Sequence, residues 1–128
     1  MLSWDLEDWI TDAGADVLDK RLADPMGLTP AESVVYEIWL LDTEARNGGL
    51  SQYFCNQGLQ QWVACQAATR TIGLTSFREF ANAVNAVIGA AEDPYEAIWA
   101  QGDPAEDLWY SYQALVVHEL RGLVQNAL

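Results

Sequence analysis

The stretch that decides the fold is Thr29-Pro30-Ala31-Glu32-Ser33-Val34-Val35-Tyr36-Glu37-Ile38-Trp39-Leu40-Leu41. Thr29 offers an N-cap hydroxyl, Pro30 stands at the first helical position, and Glu32 can reach back to close a capping box. The segment from Val34 to Leu41 is apolar almost all round rather than along one stripe. A helix of that composition belongs at the centre of a domain with others packed about it. Asn47-Gly48-Gly49 stops it, which places a central helix over about 30–46.

The same punctuation recurs on either side. Asp93-Pro94-Tyr95-Glu96 and Asp103-Pro104-Ala105-Glu106 repeat the cap-Pro-Glu arrangement, and Ser76-Phe77-Arg78-Glu79 reads as a capping box without proline. Gly73-Leu74 resembles a left-handed C-cap with its hydrophobic contact, and Gly58 and Gly102 mark shorter pieces. Near the end, Leu108, Tyr112, Leu115, Val116, Leu120, Leu123 and Val124 keep the three-and-four spacing of one buried helical face. No stretch alternates strictly as a strand does. The predicted helices lie near 3–23, 30–46, 50–57, 59–72, 77–90, 94–101 and 104–126. The fold class is all-α, a single compact multi-helix domain of about six to seven helices spanning 1–128, with no repeat or linker.

Composition supports a real core. The chain has 128 residues, 51% of them apolar, including six Trp, five Tyr and three Phe. That fits one domain and excludes intrinsic disorder, which needs low hydrophobicity as well as high charge. The formal net charge is −13, from nineteen acids against six Lys and Arg. Such a field repels nucleic acid and anionic membranes and attracts basic protein surfaces, although solubility alone is a sufficient reason for it. Cys55 and Cys65 make neither a disulfide framework nor a metal site and are expected as buried thiols. Met1-Leu2-Ser3-Trp4-Asp5 lacks the pattern of a signal peptide, and no apolar run approaches a membrane span. A soluble, cytoplasmic protein is the expectation.

The middle of the chain carries a more specific pattern. Ala31-Glu32-Ser33-Val34-Val35-Tyr36-Glu37-Ile38, then Glu44-Ala45-Arg46-Asn47-Gly48-Gly49-Leu50-Ser51-Gln52-Tyr53-Phe54-Cys55-Asn56, then Ala67-Ala68-Thr69-Arg70-Thr71-Ile72-Gly73-Leu74 resembles the signature of the DUF4375 (DMP19-like) domain family. The resemblance covers roughly residues 30–90. Leu50 and Cys55 stand where aromatics are common, and Arg46 where a second Asn is frequent, all swaps of the packing type. The resemblance implies an all-helical domain able to form a homodimer, without catalytic residues. It also implies kinship with a DNA-mimic bacterial protein. Read physically, Asn47, Gly48, Gly49, Gln52, Tyr53, Phe54 and Asn56 form a structural motif. The glycines turn the chain sharply, and the amides of Gln52 and Asn56, four apart on one face, can satisfy backbone groups freed there. A ligand pocket at these amides is the alternative.

The sharpest functional pattern lies at the start of the chain. Asp5, Asp8, Asp12, Asp16 and Asp19 are spaced 3, 4, 4 and 3, within an arc of roughly 80° and about 21 Å of helix axis. Leu6, Ile10, Ala13 and Val17 form a separate, core-facing stripe. One carboxylate per ~5 Å is of the same order as one phosphate per ~3.4 Å along a DNA strand. Like charges four apart oppose a helix by about 0.2–0.5 kcal/mol each, so four such steps oppose it by about 1–2 kcal/mol, with Lys20 and Arg21 near the end to offset them. An ordinary solvated face would interleave lysines. Glu92, Asp93, Glu96, Asp103, Glu106 and Asp107 form a second acidic cluster that can extend the surface, though acids in first turns also serve caps and the helix dipole. His118, the single histidine, sits beside Glu119 in the apolar last helix as a packed or core-edge residue. No catalytic group, metal site or cofactor is expected. The expectation is an acidic protein–protein interaction module, not an enzyme. It would act as a DNA mimic on a basic partner such as a DNA-binding transcription regulator, binding neither nucleic acid nor membrane itself. An immunity- or scaffold-type protein for a basic partner unrelated to DNA is the alternative, and a small-molecule protein or enzyme comes last.

Overall fold

A computed structural model describes residues 2–126. Its helices are α1 (Trp4–Ala23), α2 (Pro30–Gly48), α3 (Leu50–Thr71), α4 (Thr75–Ile88), α5 (Pro94–Gln101), α6 (Asp103–Glu106) and α7 (Gln113–Asn126), with a 3-10 turn at Leu108–Ser111. No strand occurs among the described residues, and none of their helices is long and apolar enough to cross a membrane. The all-α reading holds.

α2 is the central helix. Its capping box closes in full: the Glu32 N–H donates to Thr29 Oγ1, and the Thr29 N–H donates to Glu32 Oε1. Val34, Val35, Ile38, Leu40, Leu41 and Ala45 are buried between α1, α3 and α7. α1 runs back along α2, and Gly14 lets Trp39 approach it. A Cβ at Gly14 would lie 2.1 Å from Trp39 Cδ1. The rest of the core is a run of tilted and edge-to-face rings through Tyr53, Phe54, Trp62, Phe77, Phe80 and Trp109. Such pairs add about 0.5–1.5 kcal/mol each beyond their burial.

Two buried carboxylates sit within this frame. Asp42, 3% exposed, accepts from Trp109 Nε1 at 2.9 Å and from Gln113 Nε2 at 2.6 Å. Arg46 donates to it weakly at 3.4 Å and also to Glu7, so one carboxylate ties α2 to the 3-10 turn, to α7 and, through Arg46, to α1. Glu37 accepts twice from Gln61 Nε2, at 2.6 and 2.9 Å, and burial pushes its carboxyl above the usual range despite those bonds.

Several local expectations give way. The helix expected over 104–126 is three pieces, with Glu106 of the first bonded to Ser51 on α3 and Trp109 of the 3-10 turn bonded to Asp42. In α7 it is Val116, Val117 and Leu120 that are buried, and Leu115 faces solvent. Neither Ser76 nor Asp103 caps its helix. The start of α4 is held instead by Glu119 of α7, which accepts from Ser76 N, Ser76 Oγ and Thr75 Oγ1 at 2.9, 2.7 and 2.8 Å. Of the cysteines Cys65 is buried but Cys55, at the edge of the α3 face, is exposed. α3 itself kinks at Gly58, dividing it as the sequence suggests.

Candidate partner-binding surface

α1 buries Leu6, Ile10, Gly14 and Val17 on one face, so by helical register its carboxylates fall on the other. Asp5, Asp8, Asp12, Asp16 and Asp19 are all exposed. Asp5 accepts from Arg121 of α7 at 2.6 Å. Among the described residues the other four have neither an ion pair nor a side-chain hydrogen bond. The cations at the end of the helix are drawn away onto α2. Lys20 donates to Glu32 at 2.7 Å, and Arg21 lies 4.6 Å from the centroid of the Tyr36 ring. The repulsion along the stripe is therefore left in place over Asp8 to Asp19, about 16 Å of axis.

Sequence reasoning missed two residues on this face. Trp4 is 81% and Leu22 is 70% exposed. Trp4 is four residues before Asp8, and Leu22 three after Asp19, so each lies at an edge of the same arc. The available signal was that Trp4 falls off the apolar stripe of Leu6, Ile10, Ala13 and Val17, since Trp is enriched in protein interfaces.

The second acidic cluster lies on and beside α5 and α6, which pack on each other. Glu92, Asp93, Glu96 and Asp107 are exposed, with the Asp93 side chain capping α5 by accepting from the Glu96 N–H at 3.3 Å. Glu106 is half-buried and engaged: its two oxygens accept from the Ser51 N–H at 2.7 Å and the Ser51 hydroxyl at 2.6 Å. α5 and α6 pack on α3, whereas α1 packs on α2 and α7. Glu106 is a structural tie rather than a free acid.

The glycine motif makes the elbow between α2 and α3. Gly49 has φ +84, and the missing Cβ of Gly48 leaves room for Gln52, whose Oε1 would sit 1.9 Å from it. Tyr53 and Phe54 are buried as packing residues. The Tyr53 hydroxyl lies against the Cys65 thiol without hydrogen-bond geometry, and burial pushes both groups well up from their ordinary pKa values. The two amides depart from the expected buried network. Asn56 is exposed and donates to Glu44 at 2.6 Å, and Gln52 is half-buried; neither serves the freed backbone. With Asn47 also exposed, the elbow opens into a cleft of about 380 Å³ that Gln52, Cys55, Asn56, Tyr95 and Trp99 line. His118 is exposed on α7.

No curated protein and no solved structure matches the chain. A family model described as DMP19-like protein matches residues 26–123, more than the 30–90 that carries the signature. α1 precedes the matched residues, so the acidic face is not carried by the family match. With 26–123 matched, the elbow and the central helix within it, the chain belongs to the DMP19-like protein family.

Proposed function

We propose that the protein is an acidic interaction module whose α1 face occupies the basic surface of a partner, in the manner of a DNA mimic. The observation that carries the reading is the row Asp8, Asp12, Asp16 and Asp19, exposed and unpaired while Lys20 and Arg21 are held on α2. Carboxylates on a preformed helix present anionic oxygens at a spacing of the same order as that of phosphates, with no segment to order on binding. The partner is a basic protein, a DNA-binding transcription regulator being the natural class, and its affinity falls as salt screens the field. The kinship with a DNA-mimic protein that the sequence resemblance implies supports the same reading, although fold alone does not imply function.

A second reading is favoured by Trp4 and Leu22, since apolar anchors beside a charged row suit a protein partner unrelated to DNA, as in an immunity or scaffold protein. Capture from host lysate at low salt, repeated with excess duplex DNA and with Asp8, Asp12 and Asp16 changed to Asn, separates the two. A basic protein released both by duplex DNA and by the substitutions supports mimicry. Release by the substitutions but not by DNA supports the second reading. Capture indifferent to the substitutions overturns both.

A further inference from the structure

Six cations stand against nineteen acids in this chain, and four of the six are engaged. Lys20, Arg46 and Arg121 are in ion pairs and Arg21 lies on Tyr36. The remaining two, Arg70 and Arg78, are exposed and without a carboxylate partner among the described residues. Both line one cleft of about 250 Å³ between the end of α3 and the start of α4.

Three features of that cleft run against the rest of the molecule. None of its lining residues is acidic, in a chain with a net charge of −13. Arg78 is the fourth residue of α4, where the helix dipole disfavours a cation. Glu119, the carboxylate held at the start of α4 by the Thr75 hydroxyl and by Ser76, is in no ion pair with either arginine. The remaining wall is mixed: the Asn82 side chain supplies polar atoms, and Leu74 and Phe77 an apolar floor.

We infer that this cleft binds a small anionic ligand, its oxyanion held by Arg70 and Arg78 and its apolar part set against Leu74 and Phe77. Guanidinium groups pair with carboxylate and phosphate through two parallel hydrogen bonds, and neither Arg70 nor Arg78 is in an ion pair among the described residues. The volume lies just below the usual range for drug-sized ligands, which limits the occupant to a compact phosphate ester or carboxylate. The inference is independent of the acidic α1 face.

The test is a titration of the full chain with phenyl phosphate, with benzoate and with inorganic phosphate at constant ionic strength, monitored by backbone amide NMR shifts. Saturable shifts confined to the segment from about Gln66 to Asn82 are expected, with phenyl phosphate tighter than inorganic phosphate. The stronger of phenyl phosphate and benzoate tells whether the natural ligand carries a phosphate or a carboxylate. Arg70→Gln and Arg78→Gln should each weaken binding roughly tenfold, while Arg121→Gln, which touches only the α1–α7 pair, leaves it unchanged. Both arginines are exposed, and an unchanged amide spectrum outside the cleft verifies that the variants are folded. Shifts that stay linear with all three probes, or saturation that survives the double Arg70→Gln, Arg78→Gln variant, would overturn the inference.

Discussion

Removing the carboxylate of Asp42 is the most incisive perturbation of this fold. Asp42→Ala leaves the indole N–H of Trp109 and the amide N–H of Gln113 without their acceptor. Both residues are buried, Trp109 fully. A buried donor stripped of its partner costs about 1–3 kcal/mol, so the pair costs about 2–6 kcal/mol. Gln113 has rotamers with which to recover part of this, which sets the expectation near 4 kcal/mol. An unfolding entropy of ~2.1 cal/mol/K per residue over 128 residues is ~0.27 kcal/mol/K, so the melting midpoint should fall by about 15 °C. Asp42→Asn keeps one acceptor oxygen and should lose less, about 1–2 kcal/mol. Trp109→Phe removes the donor with the ring retained, so the double variant with Asp42→Ala should be less destabilised than the sum of the two singles. Urea and thermal unfolding by circular dichroism at pH 7 measure all four. An Asp42→Ala protein within about 1 kcal/mol of the parent would refute the view that this carboxylate ties α2 to the 3-10 turn and α7.

Three further outcomes are expected. Burial pushes the Glu119 carboxyl up, but the hydrogen bonds from Ser76 and Thr75 outweigh it and hold its pKa below the ordinary value. A lowered folded pKa stabilises above the unfolded value and the contribution fades as pH falls through the folded one. Glu119→Gln should therefore melt lower at pH 7, with the gap closing below about pH 4.5; a gap that does not vary with pH would refute the assignment. Glu37 is the opposite case, its carboxyl raised by burial, so its stability contribution is complete in acid and lost as pH rises through the folded pKa. Glu37→Gln should unfold at a higher midpoint than the parent at pH 7 and lose that advantage below about pH 4.5, and a lower midpoint at pH 7 would contradict this. Alanine favours a helix over glycine by about 1 kcal/mol. Gly14→Ala nevertheless should lower the midpoint, because its Cβ would strike Trp39 and overpacking costs about 1–3 kcal/mol; a gain in stability would show that Trp39 moves freely.

The sequence alone determines what acts within a turn or two of helix. The Thr29 to Glu32 box, the Asp93 cap, the stop at Gly49 and the kink at Gly58 are all interactions or backbone angles within three or four residues, and each is formed. The common outward face of the five α1 aspartates comes equally from helical period and the buried stripe opposite. What tertiary structure decides is which distant groups meet. Asp42 reads as one more acid in an acidic chain, yet its partners are 67 and 71 residues away. Glu106 sits in a plausible local cap and Glu119 in the middle of the last helix, but they bind Ser51 and Ser76, 55 and 43 residues distant, because packing brings those donors to them. For the same reason Lys20 and Arg21 leave the acidic stripe they adjoin, and Arg70 and Arg78, eight apart across a helix junction, come to share one cleft. Helical period and the caps at Thr29 and Asp93 are local and legible in one dimension, whereas the caps read at Ser76 and Asp103 do not form; the pairing of charges depends on how α2, α3, α4 and α7 stack, which nothing within a single helix specifies.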